Sequence, residues 1–364
     1  MKTAEGAMAG GAVERPERRG FARALADRLG LDALNYPVPA HANTIWYTLG
    51  GITLVGLLVM LVSGVLMALW YDPTPAGAGV SIRQMMNHPG AARLLRGVHY
   101  WTAQVVMVTI VLHLLRVIVT GAYKRRREIN WLLGVGLLFT VFGFYYTGTV
   151  LKWDQEGYEA LAHTSELAKG LGVLGVPLTA GFAKGIPVFE RIMIGHVALL
   201  PLVFLALVFG HLLLVKVLGI SALPGKPEAP PTAGALAAHD HTFLRHGKKL
   251  FGYALILIGI VLALGILLPP TIGRTPVEGI EVSKPPWAFI WLYPIEDRFG
   301  LNGLLVAPLV IVAGLVLLPF IDRGQETGLR RRWWVVTVAA AGLVAAVALG
   351  VAGHYAGLVS HVGM

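Results

Sequence analysis

The sequence predicts an all-α integral membrane protein, a four-helix bundle followed by a three-helix part, with seven transmembrane helices. Three observations carry that prediction. Seven apolar runs are each long enough to cross about 30 Å of hydrocarbon. Only 14% of the 364 residues are charged and the mean hydropathy is +0.67, whereas soluble domains carry about 25% charge. The basic residues gather in segments between the apolar runs, as they do in loops held at one membrane face.

Taken in order, residues 1–44 read as a cytoplasmic amphipathic arm. Met1 to Ala40 is rich in Arg and Ala and lacks the apolar core and cleavage site of a signal peptide. Within it, Arg18 to Leu34 has the spacing of a helix lying on a membrane surface. Four runs follow near 45–70, 98–120, 131–150 and 192–218, and a bundle domain is expected over 45–220. The long segment 151–190 joins the third and fourth. Its Leu, Ala and Gly content from Leu167 to Ala183 predicts short amphipathic helices on the membrane surface. Residues 221–247 read as a flexible cytoplasmic linker, with Pro224, Pro227, Pro230 and Pro231 between Ser221 and Thr242. Runs near 250–269, 302–321 and 333–357 make a C-terminal domain over 248–364.

Loop charge gives an orientation. Lys2, Arg15, Arg18, Arg19, Arg23 and Arg28 lie in the arm. Lys124 to Arg127 follow the second run, Lys216, Lys226, Arg245, Lys248 and Lys249 surround the linker, and Arg323 and Arg330 to Arg332 precede the last run. The other side carries fewer basic residues, more diluted by acids. The positive-inside rule then expects a cytoplasmic N-terminus and an outer C-terminus, in a bacterial inner membrane. The same clustering assigns the net charge of +10 to the lipid bilayer rather than to nucleic acid. The chain has no cysteine, which excludes disulfides, iron–sulfur ligation by this chain and thioether-linked haem.

Four histidines lie inside the apolar runs. His99 and His113 are 14 residues apart in one, and His196 and His211 are 15 apart in another. At about 1.5 Å and 100° per residue, each pair spans roughly 21–23 Å and stays broadly on one helix face. The expected orientation runs both helices from outside to inside. His99 and His196 therefore form an outer layer, and His113 and His211 an inner one. Two imidazoles per layer suit the iron of one haem per layer. Arg96 and Arg116 lie near the two ends of the first histidine helix, where they suit anionic haem propionates. Gly50 and Gly64, and Gly134 and Gly148, repeat at the same 14-residue interval. A missing side chain there clears room for a flat macrocycle.

On these residues the chain resembles cytochrome b of the quinol-oxidising bc-type complexes, above all the plastid and cyanobacterial form joined to its subunit IV. Arg96-Gly-Val-His99 through His113-Leu-Leu-Arg116 matches one histidine helix of that family. Leu151-Lys-Trp-Asp-Gln-Glu-Gly-Tyr158 matches the segment after the next helix. His196 through Pro201 to His211, then Lys216 and Gly219-Ile-Ser221, matches the second histidine helix with the 15-residue plastid-type spacing. The resemblance covers about 40–220 well and 245–325 more loosely.

It implies two non-covalent haem b groups: a low-potential outer haem on His99 and His196, and a high-potential inner haem on His113 and His211. It further implies a ubiquinone or menaquinone pool, an outer quinol-oxidation pocket and an inner quinone-reduction pocket near Lys216, with Asp240 and His241 as further company. A Rieske-type iron–sulfur protein, a cytochrome c or other acceptor subunit, and a homodimeric complex are the implied partners.

One departure matters. Where the family has Pro-Glu-Trp-Tyr, whose Glu accepts a quinol proton, this chain has Pro285-Pro286-Trp287-Ala288. Proline takes no proton. Pro285 and Trp287 still read as pocket wall, and the proton acceptor is expected among Asp154, Glu278, Glu281, Glu296 and Asp297, with Glu296 first and Asp154 second. The missing Glu keeps a different function open: a di-haem anchor that links a dehydrogenase or hydrogenase to the quinone pool without bifurcation.

Overall fold

The computed structural model describes residues 21–30, 36–88, 90–227 and 242–362, and these residues form helices joined by turns and irregular segments, with one isolated bridge between Pro37 and Thr242. Asp240, His241 and most of the arm lie outside the described residues. In chain order the helices are α1 (Phe21–Arg28), α2 (Ile45–Met67), α3 (Ala78–Asn87), α4 (Ala91–Thr120), α5 (Glu128–Leu151), α6 (Gln155–Gly170), α7 (Val188–Ile194), α8 (Leu200–Leu218), α9 (Phe243–Leu267), α10 (Tyr293–Phe299), α11 (Leu301–Ile321) and α12 (Trp333–Tyr355). Among the described residues, seven spans are long and apolar enough to cross a membrane: α2, α4, α5, the continuous α7–α8, α9, α11 and α12. The chain is a multi-pass membrane protein.

Bundle contacts arise where small residues let backbones meet. A Cβ on Gly97 of α4 would fall 2.9 Å from Cα of Gly265 of α9, so the two helices cross backbone to backbone. Val98, Leu257 and Val261 close over that crossing. On the other side of α4, Val106, Met107 and Ile110 pack with Val141 of α5.

α7 and α8 are joined by a π-turn over Gly195–Leu199, which contains His196. Pro201 follows in the first turn of α8, where its missing N–H removes one helical hydrogen bond. A π-turn takes an extra residue per turn. That extra residue is the physical meaning of the 15-residue histidine spacing: it brings His196 back into register with the 14-residue pair of α4.

Several boundaries differ from expectation. α4 begins at Ala91, two turns before the predicted 98, and carries Arg93 and Arg96 within the helix. α9 begins at Phe243, where the Thr242 hydroxyl accepts from the Arg245 amide at 3.4 Å. Arg245, Lys248 and Lys249 therefore sit on the first turns of a helix, not in a loop. After α5 the surface helix is α6, capped by Asp154, and Leu171 to Leu178 form only two short 3₁₀ turns. Gly170, Gly172 and Gly175 interrupt that stretch, and glycine is a poor helix former.

Two buried networks close the ends of the bundle. At one end, Asp322 accepts from Tyr123 Oη at 2.5 Å, Lys124 Nζ at 2.8 Å and Arg332 Nε at 2.8 Å. Arg332 also donates to the carbonyls of Ile118 and Val119. Lys124 and Arg332, which the sequence presents as loop charges, are buried structural cations. Burial opposes the Asp322 carboxylate, but the bonds from Lys124, Tyr123 and Arg332 outweigh it and lower its pKa.

At the other end, the irregular segment 269–285 lies along α6. Asp154, Gln155 and Glu159 take its backbone amides: Gly273 to Asp154 at 2.8 Å, Val277 to Gln155 at 2.7 Å, and Val282 and Ser283 to Glu159 at 2.8 and 3.0 Å. These side chains supply acceptors for extended backbone that has no strand partner.

Candidate functional site

α4 and the α7–α8 span each carry two of the four predicted histidines, and the flanking helices α2 and α5 carry the four predicted glycines. The structure brings them together in pairs. An ideal Cβ on Gly50 would lie 2.8 Å from Cε1 of His113, and on Gly64 3.1 Å from Cε1 of His99. On Gly134 it would lie 3.5 Å from Cε1 of His211, and on Gly148 3.4 Å from Cε1 of His196. The protein group nearest each glycine is an imidazole edge. Across the bundle, His99 interacts electrostatically with His196, and His113 with His211. The two layers read from spacing are present as neighbours.

Three of the imidazoles have Nδ1 held by an oxygen. His99 Nδ1 lies 3.0 Å from Ser63 Oγ, His196 Nδ1 2.7 Å from Thr147 Oγ1, and His211 Nδ1 3.1 Å from the Asn130 carbonyl. The Ser63 and Thr147 hydroxyls donate to their own helix carbonyls, at 2.7 Å each, so they accept from the imidazole. An Nδ1–H leaves Nε2 with its lone pair. His113 Nδ1 is buried and has no hydrogen-bond partner. Four half-buried imidazoles, with at least three presenting Nε2 as a donor, fit bis-histidine ligation of haem iron.

The two arginines differ. Arg96 is buried and donates to the Pro270 carbonyl at 3.1 Å. The guanidinium of Arg116 stacks 4.6 Å over the Tyr47 ring, while Arg116 Nε and Tyr47 Oη are buried with no hydrogen-bond partner. Two such unsatisfied groups side by side fit an anionic group such as a haem propionate. Lys216 is exposed on the last turn of α8.

Pro285 to Phe289 lies against α4 and α5 near the His99 layer. Ala288 is buried with Val106, Met107 and Val141, and Phe289 packs on Phe142, Tyr145 and Tyr146 with centroids 5.8–5.9 Å apart. Trp287 is half exposed, and its Nε1 donates to Gln104 Oε1 at 2.5 Å. The same oxygen accepts from Tyr145 Oη at 3.0 Å. Gln104 and Tyr145 escaped the sequence reading because they lie in apolar runs with no spacing signal.

The predicted acids separate into different roles. Asp154 is fully buried and committed: Oδ1 caps α6 at Gly157, and Oδ2 takes Gly273 at 2.8 Å and Lys152 at 3.1 Å. Burial disfavours the Lys152 ammonium, but Glu156 and Asp154 outweigh it and raise its pKa. Burial raises the pKa of Glu156 despite Lys152 beside it. Glu278 and Asp297 are exposed. Glu296 is buried, with Oε1 paired to Nε2 of His163 at 3.1 Å. Burial works against charge on His163, yet Glu296, the Glu159 carbonyl and Glu281 lift its pKa to about 8. His163, Glu159 and His361 are neighbours that the sequence did not single out.

Comparison with known proteins bears on these placements. The family model described as Cytochrome b/b6/petB matches residues 33–219. Cytochrome b6 of Heliobacterium mobile is 37% identical over 194 residues, 52% of this chain and 91% of that one. The cytochrome bc complex cytochrome b subunit of Chlorobaculum thiosulfatiphilum is 30% identical over 301 residues, 79% of this chain and 68% of that one. A solved chain of a hyperthermophilic respiratory Complex III shares the fold, with a TM-score of 0.72 at 23% identity, covering 93% of this chain and 90% of that one. Membership of this family implies haem b, which the paired histidines fit, and by the family match and the relatives together this chain belongs to the cytochrome b family.

Proposed function

We propose that the chain is the di-haem cytochrome b subunit of a quinol-oxidising membrane complex. It moves electrons across the bilayer between an outer quinol-oxidation site and an inner quinone-reduction site. The observation that carries this reading is the four glycine–histidine pairs, arranged as two neighbouring imidazoles in each of two layers. His99 and His196 would ligate the outer haem b, and His113 and His211 the inner one, both without covalent attachment. Bound haem supplies one-electron redox chemistry that needs no proton.

The chain's own residues do the rest. Ser63, Thr147 and the Asn130 carbonyl hold Nδ1 of three imidazoles, which leaves Nε2 free to hold the haem iron when it is bound. Gly50, Gly64, Gly134 and Gly148 let each imidazole lie against a helix backbone. Arg116 with Tyr47, and Arg96 at the other end of α4, offer positive charge to propionates. Pro285 and Trp287 line the quinol pocket, and Gln104 with Tyr145 offers polar contacts beside it. Glu296 takes the quinol proton that Pro286 does not. Asp154 has the weaker claim, because its oxygens already hold Gly157, Gly273 and Lys152. Lys216 serves the inner quinone, whether ubiquinone or menaquinone.

In this reading 45–220 is the haem-bearing domain and 248–364 a subunit IV-like domain, joined by 221–247. The N-terminus is cytoplasmic in a bacterial inner membrane. A Rieske-type iron–sulfur protein and a cytochrome c or other acceptor complete a homodimeric complex. The test is a reduced-minus-oxidised spectrum and haem content of the purified protein, with identification of the copurifying subunits. Two b haems and a Rieske-type partner are expected. A single haem, or a dehydrogenase partner with no Rieske protein, would overturn the assignment.

A further inference from the structure

Apart from the paired histidines, the described residues bring two more imidazoles and two carboxylates to one point. His163 comes from α6, Glu281 from the segment before α10, Glu296 from α10, and His361 from the tail after α12. Nε2 of His163 lies 3.1 Å from Oε1 of Glu296 and 3.5 Å from Oε1 of Glu281. Nδ1 of His361 lies 3.3 Å from that same Glu281 oxygen and 3.9 Å from Oε2 of Glu296. One donor atom from each of His163, Glu281 and His361 comes within 4.8 Å of the others, close enough for one ion to draw them together, and Glu296 flanks them with a different oxygen toward each imidazole.

The remaining atoms of these side chains are already anchored. His163 Nδ1 donates to the Glu159 carbonyl at 2.8 Å, and His361 Nε2 lies 2.6 Å from Asp297 Oδ1. Each imidazole thus turns its other nitrogen inward, with a carbonyl or carboxylate behind it, as metal-binding histidines do. Glu281 Oε2 accepts the amides of His361 and Val362 at 2.7 and 3.2 Å, which leaves Oε1 facing the cluster. Glu296 Oε1 is buried and paired with His163 Nε2 at 3.1 Å. Two imidazoles and two carboxylates gathered in a partly buried spot hold protons that a divalent cation displaces when it binds.

We propose that His163, Glu281 and His361, with Glu296 beside them, bind one divalent metal ion of the zinc class, which clips the C-terminal tail onto α6 and the segment before α10. The donor chemistry selects the ion. Two imidazoles with a carboxylate suit zinc, whereas calcium and magnesium favour all-oxygen sites of six or more ligands. The tail is already laid in place: Tyr293 Oη donates to the Gly357 carbonyl at 3.0 Å and accepts the Val359 amide at 2.9 Å. The metal would add ligand bonds across three separate stretches of chain. The proposal is independent of the haem reading, and it places the metal beside Glu296, the proton acceptor proposed above.

The test uses the full-length protein with its haem complement, stripped by chelator and titrated with zinc chloride. Zinc content after dialysis and a competition titration are read. One zinc per chain is expected, with X-ray absorption showing two imidazoles among its ligands. Loss of a ligand in His361→Ala or His163→Ala should weaken binding by about tenfold or more. Carboxypeptidase should trim the tail more slowly when zinc is present, and that difference should vanish in His361→Ala. His361 lies in a terminal tail, so its variant tests the site even if His163→Ala does not fold. Zinc uptake that is absent, or unchanged in His361→Ala, would overturn the proposal.

Discussion

A methyl group on Gly50 would sit 2.8 Å from Cε1 of His113, closer than real Cβ atoms approach another atom. The other three glycines leave more room, up to 3.5 Å at Gly134 opposite His211. The pairs therefore grade in tolerance. Gly50→Ala should displace the His113 ring, at an overpacking cost of about 1–3 kcal/mol, and lower occupancy of the haem assigned to that layer. Gly134→Ala should leave both haems bound. Haem content per chain in the two variants checks this, and equal retention in both would return Gly50 to ordinary helix packing.

His113→Ala should remove the inner haem and leave the outer one largely in place, because the other layer draws its ligands from His99 and His196. Haem content after each of the four single histidine substitutions is the measurement. Retention of two haems in any of them would contradict the pairing.

Thr147 orients His196 through a 2.7 Å contact to Nδ1. Thr147→Val keeps the shape and removes the acceptor, leaving a buried N–H unpaired at a cost of about 1–3 kcal/mol. The midpoint potential of one haem should shift while the other stays. A redox titration with both potentials unchanged would make the Thr147 contact incidental.

Asp322 joins Tyr123, Lys124 and Arg332 in one buried network. Asp322→Asn should destabilise the protein by about 3–5 kcal/mol, because it leaves two buried cations short of a partner. The folded-state pKa of Asp322 lies below the ordinary 3.8. Its stabilisation is therefore complete above the ordinary value and is lost as the pH falls through the lower folded value. Thermal stability measured from pH 7 down to 3 should show a shallower acid limb in Asp322→Asn than in the parent.

Glu296→Gln should slow quinol oxidation and alter its pH profile with haem content unchanged. Asp154→Asn should act mainly on stability, by about 1 kcal/mol as a weakened helix cap, with the segment 269–285 loosened. Quinol-oxidation rates of parental size in both variants and in the double variant would show that neither acid receives the proton.

Much of the architecture was legible in the sequence because a membrane enforces it. Long apolar runs have little choice but to be helices, and the histidines and glycines that repeat at 14 or 15 residues come together as neighbours on folding. Charge was harder to read. Lys124 and Arg332 look like any loop cations, yet they are buried because Asp322, about two hundred residues beyond Lys124, comes to meet them. Helix starts were misjudged at Ala91 and Phe243 because polar residues in a first turn resemble a loop until a cap or a glycine marks the boundary.

The sequence by itself determined the seven spans and the histidine spacings, since each depends on local periodicity along one helix, and its short motifs carried the family resemblance. Tertiary structure alone decided the rest. It set each glycine against an imidazole, laid 269–285 along Asp154, Gln155 and Glu159, and gathered His163, Glu281, Glu296 and His361 from three distant stretches. Contacts of that kind follow no period in the chain. They exist only once the helices have packed and the irregular segments must find partners for their buried polar groups.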